Sequence, residues 1–239
     1  MHLPLTLRSA VTLYHELEDL LSQACEQITV AGSVRRNYAH HCRADNAERI
    51  VKDIEIVCQP KFVRDGRGLF AVHSALDMAL AELRAKGIVA DDPDNKKNGD
   101  RYKRLVFRGL AVIDLFVVLP PAQWGAILAI RTGDAQFSQL LVTPRRQGGA
   151  MPTGFRMHSG GICCETDHQG TSRDACTEAC RVVTPTEQSF FAALDLPYPE
   201  LDRRTARDLQ GFLVAAQRGG RKSITEERKP HASTIAQTR

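Results

Sequence analysis

The sequence predicts an α+β fold, a mixed sheet with helices on one face followed by a smaller α+β unit. Two long segments, 9–28 and 69–87, carry apolar residues at helical spacing. Between and after them, segments 29–33, 50–58 and 101–118 are short, apolar and strand-like. The first 120 residues thus read helix, strand, strand, helix, strand, strand, an order that builds a sheet with its helices on one side.

Taken in order, Val11, Tyr14, Leu17, Leu21, Ala24 and Ile28 recur at three- and four-residue steps and predict an amphipathic helix over 9–28. "TVAGS" (29–33) predicts a short buried strand, and the polar run 35–49 a loop. "IVKDIEIVC" (50–58) has strand patterning, 59–68 is a turn-rich link, and 69–87 is a helix closed by Gly87 at a left-handed C-cap. A loop over 91–100 leads to a hairpin, 101–118, turning at Arg108-Gly109. Segment 125–142 reads as a helix broken at Thr132-Gly133, and 144–164 as Gly-rich with short strands. "TPTEQSFFAAL" (184–194) opens like a capped helix, and 202–217 predicts another.

With 239 residues, 43% hydrophobic and 25% charged, the chain can bury a real core. It has no run of eighteen apolar residues and no leader pattern at its start, so no membrane partner and a cytoplasmic location are expected. Seven cysteines, an odd number, argue against a disulfide framework. From Leu201 onward there are nine Lys/Arg and four Asp/Glu, so the net charge of +4 sits in the C-terminal segment. Such a tail suits an anionic partner or is simply a solvated end.

The acids inside the strands carry the chemistry. Side chains alternate along a strand, so Asp53 and Glu55 share one face while Ile54, Ile56 and Cys58 enter the core. Asp114 lies likewise opposite to Ile113, Leu115 and Val117. Three carboxylates on adjacent strands repel one another and raise their own pKa values unless cations neutralise them. Oxygen-only sites of this kind suit Mg²⁺ (or Mn²⁺), and two such ions can activate a hydroxyl and stabilise a leaving pyrophosphate. Alternatively, the acids lie on a solvated face paired with lysines such as Lys52. Gly32-Ser33 after a strand offers amides and a hydroxyl to a phosphate, and Arg35 and Arg36 add charge.

In combination, "VAGSVRR", "KDIEIV", "VIDLFVV", "WGAILAIRTGDAQFSQLL" and "TPTEQSFFAALDLPYPEL" resemble the DNA polymerase beta (family X) branch of the nucleotidyltransferase superfamily. The resemblance runs from about Pro4 to Leu201 and implies a palm over 1–120 and a thumb-like unit over 121–217 with a Cys-rich insertion at 158–181. A basic, disordered tail, 218–239, is expected to follow. It implies that Gly32, Ser33 and Arg36 hold the β- and γ-phosphates, that Asp53 and Glu55 bind both metals, and that Asp114 binds the catalytic one. Ile130-Arg131-Thr132-Gly133 would sit beneath the incoming sugar and base, and Arg145 and Arg146 would hold DNA phosphates. The implied partners are primer-template or gapped DNA and deoxynucleoside triphosphates, with a monomer favoured.

Four features depart from the family. Glu55 stands where Asp is usual, the loop from Arg36 to Asp53 is longer, Ile130-Arg131 replaces an aromatic pair, and Val112 replaces an arginine two residues before Asp114. The match begins at the palm's first helix, so a minimal palm-plus-thumb enzyme is expected. Cys163, Cys164, His168, Cys176 and Cys180 are either a structural Zn²⁺ site or incidental reduced thiols in a hairpin insertion. The run His40-His41-Cys42 lacks a fourth ligand at a suitable spacing. The expectation is a template-directed DNA polymerase filling short gaps in DNA repair or replication. Its rivals are a template-independent or small-substrate nucleotidyltransferase and a catalytically degenerate nucleic-acid-binding module.

Overall fold

The computed structural model describes residues 4–38, 42–64, 72–95, 97–165 and 180–215. A two-residue strand β1 (Leu5–Thr6) leads into helix α1 (Leu7–Leu21), whose N-terminus Thr6 caps by accepting from the Ser9 amide at 3.2 Å. Leu7, Ala10, Val11, Tyr14, Leu17 and Leu21 form its buried stripe. The helix ends seven residues before the spacing suggested, because Cys25 already begins strand β2 (Cys25–Val30).

The polar run expected as a loop is largely helical: α2 (Gly32–Asn37) and α3 (Ala44–Ala47) precede β3 (Ile50–Val51), which pairs antiparallel with β1. Next come β4 (Ile54–Pro60), β5 (Phe62–Arg64), β6 (Val72–Ser74) and helix α4 (Ala75–Ala85). Two expectations fail here. The turn-rich link contains β5, and residues 72–74 are not helical but pair with it. Ser74 accepts from the Asp77 amide at 3.2 Å, and this cap fixes the helix start at Ala75. Gly87 does end the helix with φ +68, its amide donating to Arg84 while that of Ile88 reaches Leu83.

Strands β7 (Val89–Asp91), β8 (Tyr102–Phe107) and β9 (Ala111–Val117) follow, β7 spanning two residues for which no element was expected and the first residue of the expected loop. The β8–β9 turn runs through Arg108 (φ 52) and Gly109 (φ 69), both left-handed, as a tight hairpin demands. Helices α5 (Trp124–Thr132) and α6 (Ala135–Val142) are separated at Gly133-Asp134. Three short strands, β10 (Phe155–His158), β11 (Gly161–Cys164) and β12 (Arg181–Val182), form a second sheet. Helix α7 (Glu187–Ala193) begins with a capping box between Thr186 and Ser189, and 206–215 are helical.

The main sheet has the order β2-β4-β9-β8-β7, with β4 and β9 parallel and every other pair antiparallel. It is therefore the mixed sheet of an α+β fold. One face packs against α1 and α4: Ile54, Ile56, Cys58, Leu105, Phe107, Ile113 and Leu115 meet Leu17, Leu21, Leu76 and Leu80. Each such fully buried aliphatic side chain contributes about 1.5–3 kcal/mol. A second apolar cluster joins Phe137, Leu141, Ile162, Phe190, Phe191 and Leu209.

Between the two clusters runs a buried ionic network. Glu187 accepts from Arg35 at 2.7 and 2.8 Å and from Arg204, which is fully buried. Arg35 also donates to the Thr132 hydroxyl at 2.7 Å, and the Arg204 guanidinium lies over the rings of Phe191 and Tyr198. Burial alone would raise the pKa of Glu187, but the bonds from Arg35 and Arg204 outweigh it and hold the carboxyl below its ordinary value. α5 approaches this network closely: a Cβ on Gly125 would stand 2.0 Å from the Thr186 carbonyl oxygen, so only glycine fits.

Candidate active site

The face of the sheet turned away from α1 and α4 carries charge. In the parallel pair, Glu55 stands directly opposite Asp114, and in the neighbouring hairpin Asp114 stands opposite Arg104. Asp91 pairs with Leu105, so Asp92, the next residue, continues the same row beside Arg104. The row reads Asp92, Arg104, Asp114, Glu55, with Asp53 two residues before Glu55 on the same face. It places one guanidinium among four carboxylates. Arg104 donates from Nη1 to both oxygens of Asp114, at 2.7 and 2.9 Å, and from Nε to Asp92 at 2.8 Å. The Tyr102 hydroxyl adds a 2.7 Å bond to Asp114.

Charge is unbalanced at the other end. Burial and the charge of Asp53 push Glu55 up to about 7, and burial with the charge of Asp114 raises Asp53. Among the described residues, no three His, Cys, Asp or Glu side chains converge closely enough to hold a metal ion. The oxygens of Asp114 are turned to Arg104 and Tyr102. As a donor set the three carboxylates still fit a hard divalent cation, because they are oxygen-only and on adjacent strands, and burial with mutual repulsion leaves the pKa values of Asp53 and Glu55 raised.

Glu55 lies against the turn that follows β2. A Cβ on Gly32 (φ +59) would fall 1.8 Å from Glu55 Oε2, so glycine is what lets this carboxylate sit against the backbone. A cleft of about 510 Å³ beside it is lined by Ser33, Arg36, Asp53, Glu55, Ile130, Arg131 and Gly133. A second cleft, of about 730 Å³, lies across Glu55 and Arg131 and includes Lys97, Tyr102, Asp114 and Phe116. Arg131 divides the two, its guanidinium stacked 3.9 Å over the Phe116 ring.

Other residues singled out from the sequence are differently employed. Arg36 donates to the carbonyls of Thr132 and Gly133 at 2.7 and 2.8 Å, and burial lowers its pKa. Thr132 is fully buried, donating to the Leu128 carbonyl, and so braces α5 rather than lining the cleft. Arg145 is tied to the Leu194 carbonyl and to Asp195, whereas Arg146 is exposed. Cys163 is disulfide-bonded, which corrects the expectation of reduced thiols throughout and leaves it without a thiolate for zinc. Cys164 is a free thiol and Cys180 is buried, while His168 and Cys176 lie outside the described residues. So do His40, His41 and the tail over 218–239, while Cys42 is exposed.

Sequence reasoning missed Asp92, Tyr102 and Arg104. A signal was present: counting outward from the Arg108-Gly109 turn brings Arg104 opposite Asp114. Position 112 holds Val, and the cation bonded to Asp114 is Arg104, on the neighbouring strand.

The sheet order, with its parallel β4–β9 pair, is that of a polymerase-beta-like fold. Among solved structures, the chain is similar to polymerase beta of Leishmania infantum, determined as a ternary P/T complex. The TM-score is 0.54 at 15% identity, covering 84% of this chain and 77% of that one. No family model and no curated protein matches the sequence. No helix among the described residues is long and apolar enough to cross a membrane.

Proposed function

We propose that the protein is a template-directed DNA polymerase that adds deoxynucleotides to a primer end, with short gaps as its preferred substrate. The observation that carries the reading is the row in which Glu55 and Asp114 face each other across a parallel strand pair, beside a cleft lined by Ser33 and Arg36. Asp53, Glu55 and Asp114 would hold Mg²⁺ or Mn²⁺, which when bound supplies charge to the attacking hydroxyl and the departing pyrophosphate. The likeness to a polymerase solved as a ternary P/T complex supports a nucleic-acid substrate over a small one. The chain's own part is positioning. Gly32 allows Glu55 to lie against the turn, Ser33 offers a hydroxyl to a phosphate, and Arg36 fixes that turn against α5. Arg131 and Ile130 border the place of the nucleotide, and Arg146 is exposed for a backbone phosphate.

The test is a labelled primer on gapped, recessed and single-stranded DNA, each nucleotide offered alone with Mg²⁺ or Mn²⁺. The nucleotide complementary to the template should be added fastest, and best at a one-nucleotide gap. Asp53→Asn and Asp114→Asn should each lower turnover by at least about two orders of magnitude while DNA binding persists. Equal addition of all four nucleotides to a bare single strand would identify a template-independent transferase. Transfer only to a small hydroxyl compound would refute the polymerase reading.

A further inference from the structure

We propose that Arg104, anchored by Asp92, is a positioning residue that latches Asp114 and competes with a divalent cation for it. The inference rests on the reading of Asp53, Glu55 and Asp114 as cation ligands and adds to it a residue outside that set. Arg104 touches both oxygens of Asp114 through one nitrogen, Nη1, while Nε is held by Asp92. Asp92 is only 2% exposed and is itself fixed, its Oδ1 accepting from the Asp94 amide at 3.0 Å and its amide donating to the Arg104 carbonyl. The guanidinium thus has one rigid partner on the far strand and one on the near strand. Tyr102 donates a further bond to Asp114 Oδ1, so that oxygen accepts from two groups and Oδ2 from Arg104.

The consequence is a division of the row. Asp92 and Arg104 form a paired end, and Asp53 and Glu55 form an end that, among the described residues, has no ion pair this close, although Arg131 and Arg36 act on Glu55 from nearby. A cation arriving at Glu55 gains the third carboxylate only as Asp114 leaves Arg104. The latch therefore holds Asp114 in register on the sheet and sets the concentration of cation at which the third ligand joins. An opposite charge within about 4 Å is worth enough at a protein surface to shift a competing cation's affinity by roughly tenfold.

The experiment is Mn²⁺ binding to the nucleotide-free full chain, followed by electron paramagnetic resonance, without reference to turnover. Arg104→Gln should bind Mn²⁺ roughly tenfold more tightly than the wild type. In an Asp114→Asn background the same substitution should change affinity by less than about twofold, because its effect runs through Asp114. Tightening that persists undiminished without Asp114 would reveal a general field effect and overturn the latch. Unchanged or weaker binding in Arg104→Gln would overturn it as well. Because Arg104→Gln removes the Arg104 bond from buried Asp92, Arg104→Gln/Asp92→Asn removes both charges of that pair, and it too should bind more tightly. Should Asp53→Asn and Asp114→Asn leave Mn²⁺ binding untouched, the ligand reading itself fails and the latch falls with it. Weaker but measurable binding in those two variants, with no tightening in Arg104→Gln, removes the latch alone.

Discussion

Replacing Glu55 by Gln should stabilise the protein, and only at neutral or higher pH. Burial and Asp53 lift this carboxyl from its ordinary 4.5 to about 7. The folded state then holds the proton more tightly than the unfolded chain, so stability falls as pH rises from 4.5 to 7 and stays reduced above. At full burial that displacement corresponds to roughly 3 kcal/mol. Glu55 is partly exposed, which brings the expected gain for the uncharged amide to about 2 kcal/mol. Urea unfolding in the presence of EDTA at pH 5 and pH 8 measures it. At pH 8 the Gln variant should unfold at a urea concentration higher by about 1 M, and near pH 5 the gap should shrink to a fraction of that. Adding Mg²⁺ at pH 8 should raise the wild-type midpoint more than that of the variant, since a bound cation removes the same penalty. A variant less stable at pH 8, or a gap equal at both pH values, would refute the reasoning.

Two further outcomes concern the framework. Glu187→Ala strips Arg204, fully buried, and Arg35 of their shared carboxylate and should cost about 3–5 kcal/mol, read from urea unfolding. Gly125→Ala forces a methyl to within 2.0 Å of the Thr186 carbonyl, so it should destabilise by about 1–3 kcal/mol or more and lower the melting temperature.

The sheet was legible where periodicity was long or alternating. The hairpin over 102–117 and the shared face of Asp53 and Glu55 follow from counting by twos, and the break between α5 and α6 from Thr132-Gly133. Short elements escaped that method. Val72–Ser74 and Val89–Asp91 are three-residue strands that take their state from the strands they pair with rather than from any period of their own. Ser74 with Asp77 was nonetheless a readable cap, and it would have moved the start of α4 to its true place. The site divides in the same way. Glu55 and Asp114 could be read from their strands, whereas Arg35 meets Glu187 across 152 positions, a pairing no local pattern announces. Nor does a residue's type reveal its duty. Of two adjacent arginines, Arg35 serves a buried carboxylate and Arg36 two carbonyl oxygens, and only the fold assigns them.

The pairing of Arg35 with Glu187 and Arg204 also governs how the chain can be divided. The two apolar clusters invite separate expression, with a cut near residue 121. A second fragment made that way would keep Glu187 and Arg204 but lose Arg35, and would open the interior on which Gly125 and Thr132 close. The first fragment would expose a cationic turn with nothing to brace Arg36. Grafting either piece onto a foreign partner meets the same obstacle, since the new neighbour must supply a carboxylate to Arg35 and two carbonyl oxygens to Arg36. As an engineering module, the smallest portable piece is therefore the whole span that contains both ends of this junction.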